Sequence, residues 1–210
     1  MSGRRRSPTP WERVPEARSA AVYAARKHAG QRRSDGTPFI QHPREVAGLL
    51  YEAGAAGHVI AAGLLHDVLE KASVSASELD TRFGPEITAL VVAVSDDPRI
   101  QGYAARKAAL RHQVADAGDE ALAVFAADKL SKLRELEREA TVGPHVRTQE
   151  SRARRLQNYE RSLAMLQERL PTSSLVHDLS DELASLLGKR PEPGLLVGPP
   201  AATPSTPSRD

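Results

Sequence analysis

Residues 61–70 read Ala-Ala-Gly-Leu-Leu-His66-Asp67-Val-Leu-Glu70 and lie in the most apolar stretch of the chain. This stretch, from about 58 to 72, predicts a central buried helix. Burying an ionisable His-Asp pair inside such a helix costs free energy unless the pair is coordinated or hydrogen-bonded. The other His-Asp pair, at 177–178, lies among Ser, Asp and Glu, and we expect it to be a solvated surface pair.

The rest of the chain shows the same helical pattern. Apolar residues recur at helical spacing, few runs alternate as strands would, and Gly or Pro interrupts the pattern at helix-length intervals. The predicted fold class is therefore all-α. A second helix is expected from Pro43 to just before Gly54. Ser75 and Glu78 have the spacing of a capping box, which opens a short helix ending near Phe83. Further helices are predicted at about 12–29, from 85, and at about 101–117, 119–140, 148–170 and 174–188.

Length and composition predict one domain with two tails. The 210 residues are 40% hydrophobic, which is enough to bury one sizeable core. Residues 1–10 and 190–210 are rich in Pro, Ser, Thr and Arg, with too little apolar content to offset the entropy lost on ordering. We therefore expect a helical domain over 11–189 between disordered tails.

The charge balance and the absence of cysteine limit the kinds of partner and metal site that the chain is expected to have. The chain has 29 Lys and Arg against 27 Asp and Glu, so nothing indicates a nucleic-acid or membrane surface. The expected partner is a small molecule. With no cysteine, disulfides and thiolate metal sites are excluded, and a cytoplasmic location is expected. The basic run at 4–6 precedes a Ser- and Pro-rich segment rather than an apolar one, so it does not indicate a signal peptide.

Two further residues, His42 and Asp128, form a candidate metal site together with the His-Asp pair. His42 stands just before Pro43, at the mouth of a predicted helix, and Asp128 lies in an apolar run on a later helix. With His66 and Asp67 they supply two imidazoles and two carboxylates, a set that suits manganese, iron or zinc. The alternatives are a core histidine bonded to a backbone carbonyl, and an ion pair of Asp128 with the lysine at 129 or 132.

Glu70 is the candidate catalytic base. It follows His66 by four residues and Asp67 by three, so a continuous helix would place all three on one broad face. A divalent metal lowers the pKa of water, and a nearby carboxylate can take its proton to generate a nucleophile for attack on phosphorus. The alternative is an ordinary salt bridge between Glu70 and Lys71 or another lysine.

Several motifs in order resemble one known family. They are His28-Ala-Gly-Gln-Arg-Arg-Ser-Asp-Gly-Thr-Pro-Phe-Ile-Gln-His42-Pro, Gly-Leu-Leu-His66-Asp67-Val-Leu-Glu70, Phe83-Gly84 and Ala-Asp128-Lys-Leu-Ser-Lys-Leu-Arg-Glu-Leu. Over about residues 18–170 they resemble the HD-type hydrolase domain of the Rel/Spo alarmone enzymes, above all the stand-alone small alarmone hydrolases. The resemblance implies a manganese-dependent release of pyrophosphate from the 3′ position of guanosine tetraphosphate or pentaphosphate.

The resemblance also implies roles for individual residues. The four candidate metal ligands match the metal ligands of the family, and Glu70 matches the first of its two catalytic acids. Arg33 matches a basic residue of the nucleotide site. Tyr159 stands where the small hydrolases place an aromatic side chain near the nucleotide, although a half-buried helix position is an equally good interpretation of this residue.

The departures from the family pattern fall in the same site. Lys71 replaces the second catalytic acid, and Lys132 replaces an Asn that contacts substrate. Glu135 replaces a Thr, and Ser34 a loop Lys. A lysine does not preserve proton abstraction by an acid, but Lys71 and Lys132 can hold a phosphate. The sequence thus leaves two interpretations open: a metal-dependent nucleotide phosphohydrolase, or a degenerate module that binds metal and nucleotide without turnover. A third, a purely structural helical domain, is disfavoured by the buried cluster of candidate ligands.

Overall fold

The computed structural model describes residues 9–142 and 149–188. Within these ranges the regular structure is helical, with one isolated bridge between Arg32 and Pro38 and no strand, which confirms the all-α prediction. None of the helices in the described ranges is long and apolar enough to cross a bilayer. A 3₁₀ turn at Pro10–Arg13 is followed by α1 (Pro15–Lys27), α2 (Gln41–Glu52), α3 (Gly57–Leu65), α4 (Val68–Lys71), α5 (Ala76–Phe83), α6 (Pro85–Ala93), α7 (Tyr103–Asp116), α8 (Asp119–Val142), α9 (Gln149–Arg169) and α10 (Ser174–Gly188).

Local capping chemistry accounts for the helix ends that the sequence predicts best. At the start of α5, Ser75 Oγ accepts a hydrogen bond from the Glu78 amide at 3.1 Å, as the capping spacing predicts. Gly84 ends α5 with a φ of 83°, a left-handed conformation that favours glycine, and Pro85 then opens α6. The predicted tails lie outside the described residues, apart from Thr9 and Pro10, which begin the 3₁₀ turn.

The single helix predicted over 58–72 is wrong, because the chain breaks at the His-Asp pair. Helix α3 ends at Leu65 and α4 starts at Val68. In a continuous helix the Gly63 carbonyl would accept the amide of Asp67. Instead it lies 2.7 Å from His66 Nδ1 and accepts the hydrogen bond of that ring. A side-chain donor therefore takes the place of a backbone donor, a competition that periodicity alone does not reveal.

Helix α3 is the centre of the core and packs against α1, α2, α6 and α8. Its side chains from Val59 to Leu65 are buried, and complete burial of a Leu contributes about 1.5–3 kcal/mol. Gly63 sets the separation from α2, because a Cβ built there would lie 2.5 Å from Leu50 Cδ1. This close approach brings the first turn of α2, with His42, next to the end of α3, with His66.

Candidate metal centre and adjoining basic pocket

Three side chains, those of His42, His66 and Asp128, converge at one buried point, and Asp67 lies beside the two histidines. The Nε2 atoms of His42 and His66 are 3.2 Å apart. Asp128 Oδ1, from the middle of α8, lies 3.1 Å from His42 Nε2 and 3.3 Å from His66 Nε2. Asp67 Oδ2 lies 3.6 and 3.3 Å from the same two nitrogens. All four residues are at most 5% exposed.

This arrangement fits a divalent cation. Ligand atoms about 2.1 Å from one ion stand about 3.0–3.4 Å apart in octahedral or tetrahedral coordination, close to the separations seen here. Asp67 Oδ2 is buried and accepts no hydrogen bond, whereas Asp128 Oδ1, also buried, has the Lys132 ammonium at 2.8 Å. A buried carboxylate oxygen without a partner is costly, and a cation shared with Asp128 would satisfy Asp67.

The two imidazole rings are held by hydrogen bonds on their far sides. His66 Nδ1 donates to the Gly63 carbonyl, so the backbone-bonded histidine weighed as an alternative is present as well. His42 Nδ1 lies 2.9 Å from Ser131 Oγ. Such contacts orient a histidine toward a metal by fixing which nitrogen carries the proton. Ser131 was not predicted, although it lies three residues after Asp128 and therefore on the same face of α8.

The two histidines of this centre differ in their pKa values. Burial acts to raise the pKa of Asp67 and Asp128, but His66 and the neighbouring lysines outweigh it and hold both values well below the usual range. Burial lowers the pKa of His42 to about 4, so this ring is neutral. Burial also acts to lower the pKa of His66, but the charges of Asp67 and Asp128 outweigh it and raise the value to about 9. One imidazolium thus stands between two carboxylates.

A pocket of about 690 Å³ adjoins the metal centre, and His42 lies in its wall. Its lining carries one acidic residue, Glu135, against many basic ones. A concave surface of this charge and size suits a polyphosphorylated small molecule. The basic residues that line it are Arg32, Arg33, Lys71, Lys107, Lys129, Lys132 and Arg155.

Three of these lysines pair with the candidate metal ligands. Lys71 Nζ lies 2.7 Å from Asp67 Oδ1 and 4.7 Å from the centre of the Phe39 ring. Lys129 and Lys132 lie 2.6 and 2.8 Å from the two oxygens of Asp128, so both ion pairs weighed for this residue are present. The side chain of Lys129 is only 6% exposed, whereas those of Lys71 and Lys132 are 36% and 29% exposed and can turn toward the pocket.

A profile of the HD-domain family matches residues 20–154. The chain belongs to the HD-domain family. The guanosine-3′,5′-bis(diphosphate) 3′-pyrophosphohydrolase MESH1 of Homo sapiens is 41% identical over 126 residues, covering 57% of this chain and 68% of that protein. The GTP pyrophosphokinase rsh of Brucella ovis is 44% identical over 72 residues, covering 34% of this chain and 10% of that protein.

Solved structures agree with this family assignment. A metazoan orthologue of SpoT that hydrolyses ppGpp superimposes with a TM-score of 0.71 at 27% identity, covering 88% of this chain and 99% of that one. The lmo0812 protein of Listeria monocytogenes shares the fold, with a TM-score of 0.63 at 22% identity over 72% of this chain and 98% of that one. The resemblance to the small alarmone hydrolases stated above is therefore confirmed.

Arg33 and Tyr159, which the resemblance assigns to a nucleotide site, both line the basic pocket. The Arg33 side chain is only 2% exposed, and its guanidinium pairs with Glu45 at 3.1 Å and with Glu135 at 3.0 Å. Its charge is thus largely balanced by the protein. Tyr159 is 4% exposed and lines the pocket from α9, more deeply buried than the half-buried position weighed from the sequence.

Glu70 does not share the surface expected from an unbroken helix. It is exposed, its Oε1 accepts the amide of Asp96 at 2.7 Å, and it lines a neighbouring cavity of about 640 Å³ rather than the basic pocket. The break between α3 and α4 removes the regular spacing on which the common face depended. Lys71 pairs with Asp67, not with Glu70. Asp96 also pairs with Lys107, so this unpredicted residue connects the cavity of Glu70 to the basic pocket.

Proposed function

We propose that this chain is a metal-dependent phosphohydrolase that releases pyrophosphate from the 3′ position of guanosine 3′,5′-bis(diphosphate). The observation that carries the proposal is the four-residue centre of two histidines and two aspartates in contact with a basic pocket. The similarity to MESH1, a 3′-pyrophosphohydrolase of this compound, supports the substrate. We propose manganese as the metal and the cytoplasm as the location.

The roles of the chain's own residues follow from their placement. His42, His66, Asp67 and Asp128 would hold the cation, which supplies Lewis acidity that lowers the pKa of water and polarises a phosphoryl oxygen. Lys132 and Lys107 would bind the phosphate oxygens from the pocket wall. Tyr159 would bound the pocket on the nucleoside side, where its ring offers an apolar surface.

Glu70 is the proposed general base. The reaction joins a water oxygen to the 3′-attached phosphorus and breaks the bond from that phosphorus to the ribose 3′ oxygen. A water proton passes to the Glu70 carboxylate, and the departing 3′ oxygen takes up a proton and leaves as a hydroxyl. In the structure Glu70 faces the neighbouring cavity and accepts the Asp96 amide, so to act as the base its side chain would have to turn from that amide toward the metal centre. Lys71, on the pocket side of the same short helix, would neutralise the departing or attacking oxygens rather than accept a proton.

A second candidate function is supported by the lysines. Lys71 stands where the family has an acid, and Lys71 and Lys132 both pair with metal-ligand carboxylates. Such a site can bind an anionic nucleotide without cleaving it. Under this alternative the chain is a degenerate HD module that holds a metal and a nucleotide without turnover.

Single-turnover release of pyrophosphate from guanosine 3′,5′-bis(diphosphate) distinguishes the two functions. The purified chain is loaded with manganese, and nucleotide binding is measured in parallel by equilibrium dialysis. We expect release that is lost in His66→Ala and in Asp128→Ala, because each removes a ligand. Tight nucleotide binding with no release would establish the binding module instead. Absence of both binding and release would contradict the two functions together.

A further inference from the structure

A chain of hydrogen bonds leads from the buried metal centre through Ser131 to the half-buried Glu45. His42 Nδ1 lies 2.9 Å from Ser131 Oγ, and Ser131 Oγ lies 2.9 Å from Glu45 Oε2. His42 and Ser131 are each 1% exposed, whereas the Glu45 side chain is 34% exposed. The three residues come from α2 and α8, the two helices that supply His42 and Asp128.

The direction of these bonds follows from the chemistry of the groups. An ionised carboxylate only accepts hydrogen bonds, so the single hydroxyl proton of Ser131 points to Glu45. The Ser131 oxygen must then accept from His42, which places a proton on Nδ1. The other ring nitrogen, Nε2, is left with its lone pair facing His66 Nε2 and Asp128 Oδ1. Only this tautomer of a neutral histidine can bind a cation through Nε2.

Glu45 is itself fixed from the opposite side. Its Oε1 accepts from Arg33 at 3.1 Å, and Arg138 contacts both of its oxygens at 3.3 Å. The two guanidinium groups hold this carboxylate in place. Glu45 therefore connects Arg33, in the wall of the basic pocket, to the hydroxyl that orients His42.

We propose that Ser131 and Glu45 are positioning residues that fix the tautomer and ring orientation of His42 and thereby tighten divalent-metal binding. The inference rests on the proposed metal-dependent function. Partners of this kind typically change metal affinity by about 10–100-fold when they are removed. The sequence gives no sign of the relay, because Glu45 and Ser131 are 86 residues apart.

Ser162 provides a matched control for the Ser131 hydroxyl. It is 0% exposed, but its hydroxyl donates to the Asn158 carbonyl of its own helix at 2.8 Å. Removing that hydroxyl deletes a buried serine oxygen of the same type without touching the metal centre. A general effect of truncating a buried serine would appear in both variants, whereas an effect through His42 would appear only at Ser131.

The test compares the parent, Ser131→Ala, Glu45→Gln and Ser162→Ala by titrating Mn²⁺ and following the free ion by electron paramagnetic resonance. We expect the dissociation constant to rise by about 10–100-fold in Ser131→Ala, by a smaller factor in Glu45→Gln, and by less than about twofold in Ser162→Ala. Unchanged affinity in both relay variants would overturn the proposal. Circular dichroism identifies any variant that fails to fold, and either relay variant suffices for the comparison.

A second readout separates this proposal from the proposed function. Side-chain ¹⁵N spectra of the metal-free parent should show His42 protonated at Nδ1, and Ser131→Ala should shift that resonance or populate the other tautomer. A parent that binds no Mn²⁺ but shows this tautomer would contradict the metal-dependent function and leave the relay intact. A parent with His42 protonated at Nε2 alone would overturn the relay.

Discussion

Lys132 Nζ lies 2.8 Å from Asp128 Oδ1, the same oxygen that faces the Nε2 atoms of His42 and His66 at 3.1 and 3.3 Å. A lysine ammonium and a divalent cation therefore compete for one carboxylate oxygen. The similar alarmone hydrolases are expected to carry an Asn at this position, which brings no charge. The chain thus combines the four candidate metal ligands with a lysine ammonium of its own beside them.

This competition predicts that Lys132→Asn tightens manganese binding. Removing a positive charge next to the ion relieves a repulsion that solvent screens only in part, because the Lys132 side chain is 29% exposed. We expect the dissociation constant to fall by about tenfold or more, which corresponds to about 1.4 kcal/mol. Isothermal titration calorimetry measures this constant directly.

Lys107→Asn is the control for that change. Lys107 lines the same pocket, but its ion pair is with Asp96 and not with a candidate metal ligand. If Lys107→Asn tightens manganese binding as much as Lys132→Asn, the effect reflects the general charge of the pocket, and direct competition at Asp128 is wrong.

The Glu70→Gln substitution tests whether Glu70 is the general base. Glutamine keeps the shape and can still accept the hydrogen bond from the Asp96 amide, but it does not take a proton from water. Turnover is expected to fall by about two to four orders of magnitude, while metal and nucleotide affinity are retained. Pyrophosphate release in single turnover gives the rate, and Glu52→Gln, at the exposed end of α2, serves as the control. An unchanged rate would show that Glu70 only holds the loop at Asp96.

Metal binding should release about one proton near neutral pH. His66 has its pKa raised to about 9 and carries a proton in the metal-free centre, whereas burial lowers the pKa of His42 to about 4 and leaves that ring neutral. A metal ion must displace the proton of His66, so affinity rises with pH up to about 9 and then levels off. Calorimetry in two buffers of different ionisation enthalpy counts the protons. Release of none, or of two, would contradict this assignment.

The raised pKa of His66 also predicts how the stability of the folded protein changes with pH. The pKa of His66 in the folded protein lies above its unfolded value of about 6.5, so protonation of His66 stabilises the fold. This stabilisation is complete below about pH 6.5 and is lost as pH rises through about 9. The metal-free protein should therefore lose stability over this window. The manganese-loaded protein should not, since its His66 carries no proton in the folded state.

The parts of the fold that depend on local chemistry were predictable from the sequence. Ser75 and Glu78 begin α5 through a contact three residues apart, and the pairing of Asp128 with Lys132 follows from their helical spacing. The convergence of three of the candidate ligands, His42, His66 and Asp128, was predictable because charged groups in apolar helices need partners. Each of these inferences uses only neighbours along the chain or the cost of burial.

The parts that depend on tertiary contacts were not predictable. The helix break arises because the His66 ring takes the Gly63 carbonyl, and it turns Glu70 away from the surface that an unbroken helix would share. Arg33 carries the charge expected of a phosphate-binding residue, but Glu45 and Glu135 balance it. Contacts between helices far apart in sequence decide which of several possible partners a side chain pairs with.

The ammonium of Lys71 pairs with Asp67 Oδ1 at 2.7 Å. Lys71→Asp restores the acid expected in the family, but in the metal-free protein it replaces this ion pair with two adjacent carboxylates. We expect a lower melting temperature without metal and a larger increase on adding manganese than in the parent, since a cation relieves the repulsion. Lys71→Ala is the control, because it removes the pair without adding a like charge.

Combining Lys71→Asp with Lys132→Asn tests whether these two lysines separate this chain from its hydrolytic relatives. The double change supplies a second carboxylate beside Glu70 and removes the ammonium from Asp128, while the ligand set stays intact. We expect single-turnover release of pyrophosphate from guanosine 3′,5′-bis(diphosphate) to rise by about tenfold or more if the parent is slow. Nucleotide affinity is expected to fall, because two phosphate-facing cations are lost. A folded, metal-loaded double variant with no gain over a slow parent would show that other positions, such as Glu135 and Ser34, limit the reaction.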